Sequence, residues 1–281
     1  MDLIGCGSIT DDIIARLPPT LRALNVSKCW ELTQSVSFMH LPALESLDCS
    51  DTNAVTAGVA HLPPSLRELR MHHHRRLPWP ADFSHLCNLR VVKCKRSSVF
   101  SSASATSLPP SLEVLDFGSE YCDTTHNPWP RGWSLAHMSR LRVLCASRAS
   151  IDSAAIAMLP PTLRVLDLQD CCMLASASFA HLTCLHTLNL NDVHNISAAA
   201  LASLPPSLVS LDLCEMSFRQ MLSPRTVFPH LPALRVLNVS CTEIGDKAVA
   251  SMPAGLEELY MMRCAKVTQR ASLDTPGAAV Y

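Results

Sequence analysis

Charge is scarce in this chain. Asp, Glu, Lys and Arg make up only 17% of its 281 residues, where soluble domains carry about 25%. The surface is therefore rich in Ser, Ala and Pro, and much of it is expected to lie against partners. Glycine is also rare, at eight residues, which argues against glycine-rich loops that cradle phosphates. There is no G-x-S-x-G, no P-loop, no G-x-G-x-x-G and no HExxH. No run approaches the roughly 18 apolar residues that a membrane helix needs. The first ten residues lack the basic and apolar regions of a secretory leader. The thirteen cysteines are odd in number and contain no CxxC. They point to reduced, buried thiols in a reducing compartment rather than to a disulfide framework. Together these absences predict an intracellular protein, cytoplasmic or cytoskeletal, with no catalytic residues, no cofactor and no membrane contact.

What is present is a repeat. A unit LxxLx(L/V), with variants, occurs eleven times, its first leucine at Leu21, Leu44, Leu66, Leu89, Leu112, Leu141, Leu163, Leu185, Leu208, Leu234 and Leu256. The steps run from 22 to 29 residues. Alternate repeats open differently. Odd ones use LPPTL or LPPSL, from Leu17, Leu62, Leu108, Leu159 and Leu204. Even ones follow an F-x-H-L element such as Phe38 to Leu41 or Phe179 to Leu182. The full period is thus a pair of repeats, about 45 residues. Helix-like stretches, Ile9 to Ala15, Ile151 to Met158 and Ile196 to Ser203, precede odd repeats.

LxxLxL places its leucines on one side of a short strand and turn. One unit cannot bury that side alone, but stacked units can. Prolines just before the ladder sit where a missing N–H is tolerated.

The unit resembles the leucine-rich repeat family, whose pattern is LxxLxLxxN/C, and the resemblance covers nearly the whole chain. Cys29, Cys171 and Cys264 at the ninth position liken it to the cysteine-containing, ribonuclease-inhibitor-like branch. The LPPSL style is similar to leucine-rich repeat proteins of kinetoplastid protozoa. The resemblance implies an α/β horseshoe solenoid of about eleven repeats, with a parallel sheet on the concave face and helical or irregular segments on the convex face. One such solenoid is expected over residues 1–270, with a C-terminal tail at 271–281. The family's asparagine ladder is missing, so the turn after each strand is expected to be less uniformly hydrogen-bonded. The chain reads as starting inside a convex half-repeat, and neither end carries a capping motif. The ends are therefore expected to be capped by partners or to continue into a longer chain.

Six of the twelve histidines directly precede the opening Leu or Met of a repeat. Those of the F-x-H-L elements recur every second repeat, about 10 Å apart at a strand spacing near 4.8 Å. That is too far for shared metal ligation, so they read as structural. His72, His73 and His74 alternate in direction and have no nearby cysteine or carboxylate to complete a metal set. No metal site is expected.

The residue between the second and third leucines should line the concave face: Asn25, Asp48, Arg70, Lys93, Asp116, Cys145, Asp167, Asn189, Asp212, Asn238 and Tyr260. Arg70 and Lys93 break an otherwise acidic and amide ladder. Between Arg67 and Arg96 there are eight basic and two acidic residues, a local +6 on a chain of net charge −1. His72 and Lys95 lie two positions further along the same strands. Trp79, Trp129 and Trp133 occupy the irregular proline-containing loops, where exposed Trp beside Arg marks interface centres. The expected partner-binding residues are therefore Arg70, His72, His74, Arg75, Arg76, Trp79, Lys93, Lys95, Arg96, Trp129 and Trp133. They predict an electrostatic docking face for an acidic protein surface. The function expected is a non-enzymatic scaffold, one subunit of a cytoskeletal, flagellar or ribonucleoprotein assembly. Two alternatives are the substrate-recognition part of an F-box-like ubiquitin ligase and nucleic-acid binding through the basic patch.

Overall fold

The structure, a computed structural model, describes residues 1–54, 59–73, 81–97, 106–118, 134–216, 228, 230–268 and 279–280. The chain divides into two compact units, Met1–Leu144 and Cys145–Tyr281. In the first unit, β1 (Ala23–Asn25), β2 (Ser46–Asp48), β3 (Glu68–Arg70), β4 (Val91–Lys93) and β5 (Val114–Asp116) pair in parallel, each with the next. Strand β6 (Val143–Cys145) spans the point of division. In the second unit, β7 (Val165–Asp167), β8 (Thr187–Asn189), β9 (Ser210–Asp212), β10 (Val236–Asn238), β11 (Glu258–Tyr260) and β12 (Ala279–Val280) continue the same pattern among themselves. Each unit has the architecture of a leucine-rich repeat parallel-sheet solenoid, with one strand for each LxxLxL unit and β12 in addition.

Strands β1 to β11 are only three residues long because only the second leucine and its two neighbours need extended backbone. That leucine or valine is buried: Leu24, Leu47, Leu69, Val92 and Leu115 in the first unit, and Leu166, Leu188, Leu211, Leu237 and Leu259 in the second. Its neighbours alternate onto the opposite, sheet face. Behind the sheet the F-x-H-L phenylalanines Phe38, Phe83, Phe179 and Phe228 are fully buried. Burying each contributes about 2–3 kcal/mol of hydrophobic stabilisation.

Helices form where the sequence indicates them, α1 (Asp11–Ala15), α2 (Ser153–Ala157) and α3 (Ala198–Ala202), and a further one, α4 (Asp246–Val249), precedes the unit at Leu256. Asp152 caps α2 by accepting from the Ala155 N–H at 2.8 Å, and Ser197 caps α3 by accepting from Ala200 at 3.1 Å. The LPPSL serine has a defined task. Ser65, Ser111 and Ser207 donate to the carbonyls of Leu44, Leu89 and Leu185, tying each odd repeat to the one before. The F-x-H-L histidine does the same in the first unit. Nε2 of His40, His85 and His137 lies 3.0–3.2 Å from the carbonyls of Ile14, Leu62 and Leu108. In the second unit, Nε2 of His181 and His230 is buried without a hydrogen-bond partner among the described residues.

The turns after the strands are unevenly bonded at the ninth position, as the absent asparagine ladder implies. Cys29, Cys171 and Cys264 donate S–H to the carbonyls of Leu3, Ala146 and Val239. Thr52, Thr242 and Ser97 donate O–H to those of Cys49, Val239 and Met71. Ala149, Val193 and Met216 hold the same position and offer no side-chain donor. Contrary to expectation, the chain does not begin in a convex half-repeat. Met1 to Gly5 run beside β1, with Leu3 N–H on Asn25 O and Gly5 N–H on Ser27 O, both at 2.8 Å. Backbone pairing needs no leucine signature, so this edge carried no sequence signal.

Candidate partner-binding surface

The sheet face is governed by how each chain leaves its strand. In six repeats the ladder residue closes the turn with its own side chain. Asn25, Asp48, Asp167, Asn189, Asp212 and Asn238 accept from the backbone N–H two residues on, at 2.9–3.1 Å. The next residue is left-handed in every described turn, with φ of 56–63° from Lys28 to Arg263. Its N–H then reaches the following repeat, as Asp51 N–H does on His72 O. Asp and Asn suit the ladder because their short side chains bond locally to backbone.

Arg70 and Lys93 cannot do this, and the structure supplies a substitute. The His72 N–H donates to Ser50 Oγ at 3.1 Å, and the Lys95 N–H donates to His72 Nδ1 at 3.0 Å. The turn bond has moved from the ladder residue to the preceding repeat. Arg70 and Lys93 are thereby released from turn closure and stay on the sheet face of the first unit, exposed and half-buried respectively.

Register places these two cations side by side, with Asp48 opposite Arg70 and Asp116 opposite Lys93. At about 4.8 Å between strands, two cations are bracketed by two acids. Arg70 also meets Glu68 at 2.8 Å, and Lys95 Nζ lies 3.7 Å from Asp116 Oδ2. Further out, Arg67 pairs with Glu45 and Arg90 with Glu113. The surface is accordingly more nearly neutral than residue counting implies, with Arg70 and Lys93 at its centre. Lys93 has no ion-pair partner among the described residues. Burial holds the His72 imidazole below its ordinary value, against the opposing pull of Asp116 and Asp48. A neutral ring is what accepting the Lys95 N–H requires. Burial raises the Asp116 carboxyl above its usual range, opposed first by Lys95. Its Oδ1 is buried without a hydrogen-bond partner among the described residues.

Of the residues singled out from sequence, Arg70, His72, Lys93 and Lys95 come together on this face. Arg96 is the left-handed turn residue after β4 (φ 56°), at the edge of the group. His74, Arg75, Arg76, Trp79, Trp129 and Trp133 lie outside the described residues. Asp116 stood in the sequence ladder without a role, and neither Ser50 nor Glu68 was singled out. Period two along β3 places Glu68 on the face of Arg70, whereas nothing local marks Ser50.

The cysteines divide more evenly than expected. Cys29, Cys49, Cys94, Cys171 and Cys264 are buried, whereas Cys6, Cys87, Cys172 and Cys184 are exposed. Burial pushes the Cys49 and Cys94 thiols far up and that of Cys171 to about 12, so these are inert core groups. Away from the sheet face, the first unit has a groove of about 630 Å³ lined by Ser84, Cys87, Leu108, Pro110, His137 and Arg140, among others. His137 there is already engaged with the Leu108 carbonyl.

Comparisons with known proteins agree with this architecture. The Leucine Rich repeat family matches residues 230–252. Comparison with curated proteins gives no match. Among solved structures, an internalin (InlF) from Listeria monocytogenes is similar, with TM-score 0.56 and 14% identity over 94% of this chain and 78% of that one. A TLR13–ssRNA13 complex is similar with TM-score 0.53 and 18% identity over 93% of this chain. This chain spans 50% of the length of that receptor chain. These likenesses concern the fold. In the described residues no helix is long and apolar enough to cross a membrane.

Proposed function

We propose that this protein is a non-enzymatic interaction scaffold, a subunit of a larger intracellular assembly, and that the sheet face of its first unit docks an acidic protein surface. The observation that supports this reading is the release of Arg70 and Lys93 from turn closure. Two neighbouring cations at strand spacing repel one another, and the fold gives them no turn bond to make. An approaching carboxylate pair would relieve that repulsion and bring both acceptors within reach of charge-assisted hydrogen bonds. Solenoids commonly use extended, regular faces of this kind for binding.

The test is charge reversal. Arg70→Glu with Lys93→Glu should release the partner in a native pull-down while leaving the thermal transition in place. Retention of the same partner at the same yield would contradict the reading.

A second reading is nucleic-acid binding, favoured by the same cations and by the fold likeness to a receptor crystallised with single-stranded RNA. Salt separates the two. Engagement of phosphates by two or three cations gives a slope of log affinity against log salt of about −1.4 to −2.1 for a single strand. An acidic protein surface has no condensed counterion layer to release, so its slope is shallower even though the same cations engage it.

A further inference from the structure

On the second unit, the turns after β9 and β10 bring three metal-ligating atoms together. Cys214 Sγ, a Glu215 carboxylate oxygen and Cys241 Sγ all lie within 4.8 Å of one another. The two cysteines are half-buried and Glu215 is exposed. Backbone bonds fix all three residues. Cys214 N–H donates to Asp212 Oδ1 at 2.9 Å, Glu215 N–H to Ser240 O at 3.1 Å, and Cys241 N–H to Met262 O at 2.7 Å. Asp212 is held in turn by Asn238 Nδ2 at 3.2 Å. The backbone that carries the donors is therefore held before any ion arrives.

The left-handed turn residues of adjacent repeats form a column, and two neighbouring pairs in it are complementary. Asp51 meets His73 at 2.7 Å, and Arg148 meets Asp170 at 3.0 Å. Glu215 and Cys241 occupy the same column, but both offer lone pairs. Glu215 has no cationic partner among the described residues. A cation among the three donors would be attracted to each of them.

We propose that Cys214, Glu215 and Cys241 bind one thiophilic divalent cation, zinc by the ligand set, with the fourth coordination position open. Zinc takes thiolate sulfur at about 2.3 Å and carboxylate oxygen at about 2.0–2.2 Å, which sets tetrahedral donors about 3.5–3.8 Å apart. Closing from within 4.8 Å to that spacing asks for side-chain rotation, most freely at Glu215, the exposed member of the three. Two thiolates disfavour magnesium and calcium, which take oxygen donors. Binding releases the two thiol protons to solvent, and no other bond changes. The sequence hid this site because its ligands sit 27 positions apart in two repeats, in no recognised spacing.

The test uses the full chain, stripped of metal and kept reduced, titrated with cobalt(II) and then zinc. One equivalent should develop thiolate-to-cobalt charge-transfer bands and tetrahedral ligand-field bands, and zinc should bleach both. Cys214→Ser and Cys241→Ser should each abolish the bands, and Glu215→Gln should weaken binding. Cys184→Ser, at an exposed thiol outside the cluster, should change nothing. Serine already occupies the position of Cys214 in other repeats, as Ser27, Ser50 and Ser240, so the variant turn is one the fold uses. Absence of a one-equivalent complex in the unmodified chain, or bands that survive in both serine variants, would overturn the assignment.

Discussion

The release of Arg70 and Lys93 can be tested by stability alone, through paired alanine substitutions in one unit. Asp48→Ala removes the acceptor of the Ser50 N–H, a bond of 3.0 Å in a partly buried turn. An intramolecular hydrogen bond contributes about 0.5–1.5 kcal/mol, and leaving its buried partner unsatisfied raises the loss to about 1–3 kcal/mol. A cost of about 1–2 kcal/mol is therefore expected. Ser50→Ala should cost a similar amount, because Ser50 Oγ accepts from the His72 N–H at 3.1 Å. Lys93→Ala removes no bond from the turn, and Arg70→Ala removes only a surface pair with Glu68. Each should fall within about 0.5 kcal/mol of the parent. Chemical denaturation followed by circular dichroism resolves this difference. For a chain of this size the thermal midpoint shifts about 2–4 °C per kcal/mol. If Lys93→Ala lowers stability as much as Asp48→Ala does, Lys93 is part of the turn and the argument fails.

Acid should loosen the first unit through His72, whose folded value is depressed below its ordinary one by burial. The neutral ring's contribution is complete above the ordinary value near 6.5 and is lost as pH falls toward the lower folded value. His72→Ser, which copies the serine used at Ser50, should flatten that acid limb in urea melts recorded at several pH values. Phe179→Ala, at a fully buried site behind β8, should destabilise the second unit by about 3–5 kcal/mol in denaturant titration. Ser197→Ala should cost about 1 kcal/mol by removing the α3 cap that accepts the Ala200 N–H, read as a shifted denaturation midpoint.

The repeats announced their own strands because burial of the second leucine depends on local spacing, and spacing is what a sequence displays. The same holds for α1, α2 and α3, whose apolar residues and caps fall inside single segments. The turn chemistry was less legible. That Asp48 closes a turn while Arg70 does not follows from the residue types, but that Ser50 and His72 take over the duty depends on contact between repeats. Neutralisation of the basic surface was hidden for the same reason. Glu68 shares a face with Arg70 by strand period alone, yet only register shows Asp116 beside Lys95. The Cys214, Glu215 and Cys241 group is the extreme case, with one ligand in a repeat apart from the other two.

The central claim is that Arg70 and Lys93 form the docking centre while contributing nothing essential to the fold. Native pull-down with quantitative recovery tests it most directly, comparing the parent chain, Arg70→Glu with Lys93→Glu, and Arg16→Glu on the exposed end of α1. The account predicts that the double variant loses its partner and keeps its melting transition, while Arg16→Glu keeps both. A double variant that retains the partner, or that loses it only by unfolding, would contradict the account.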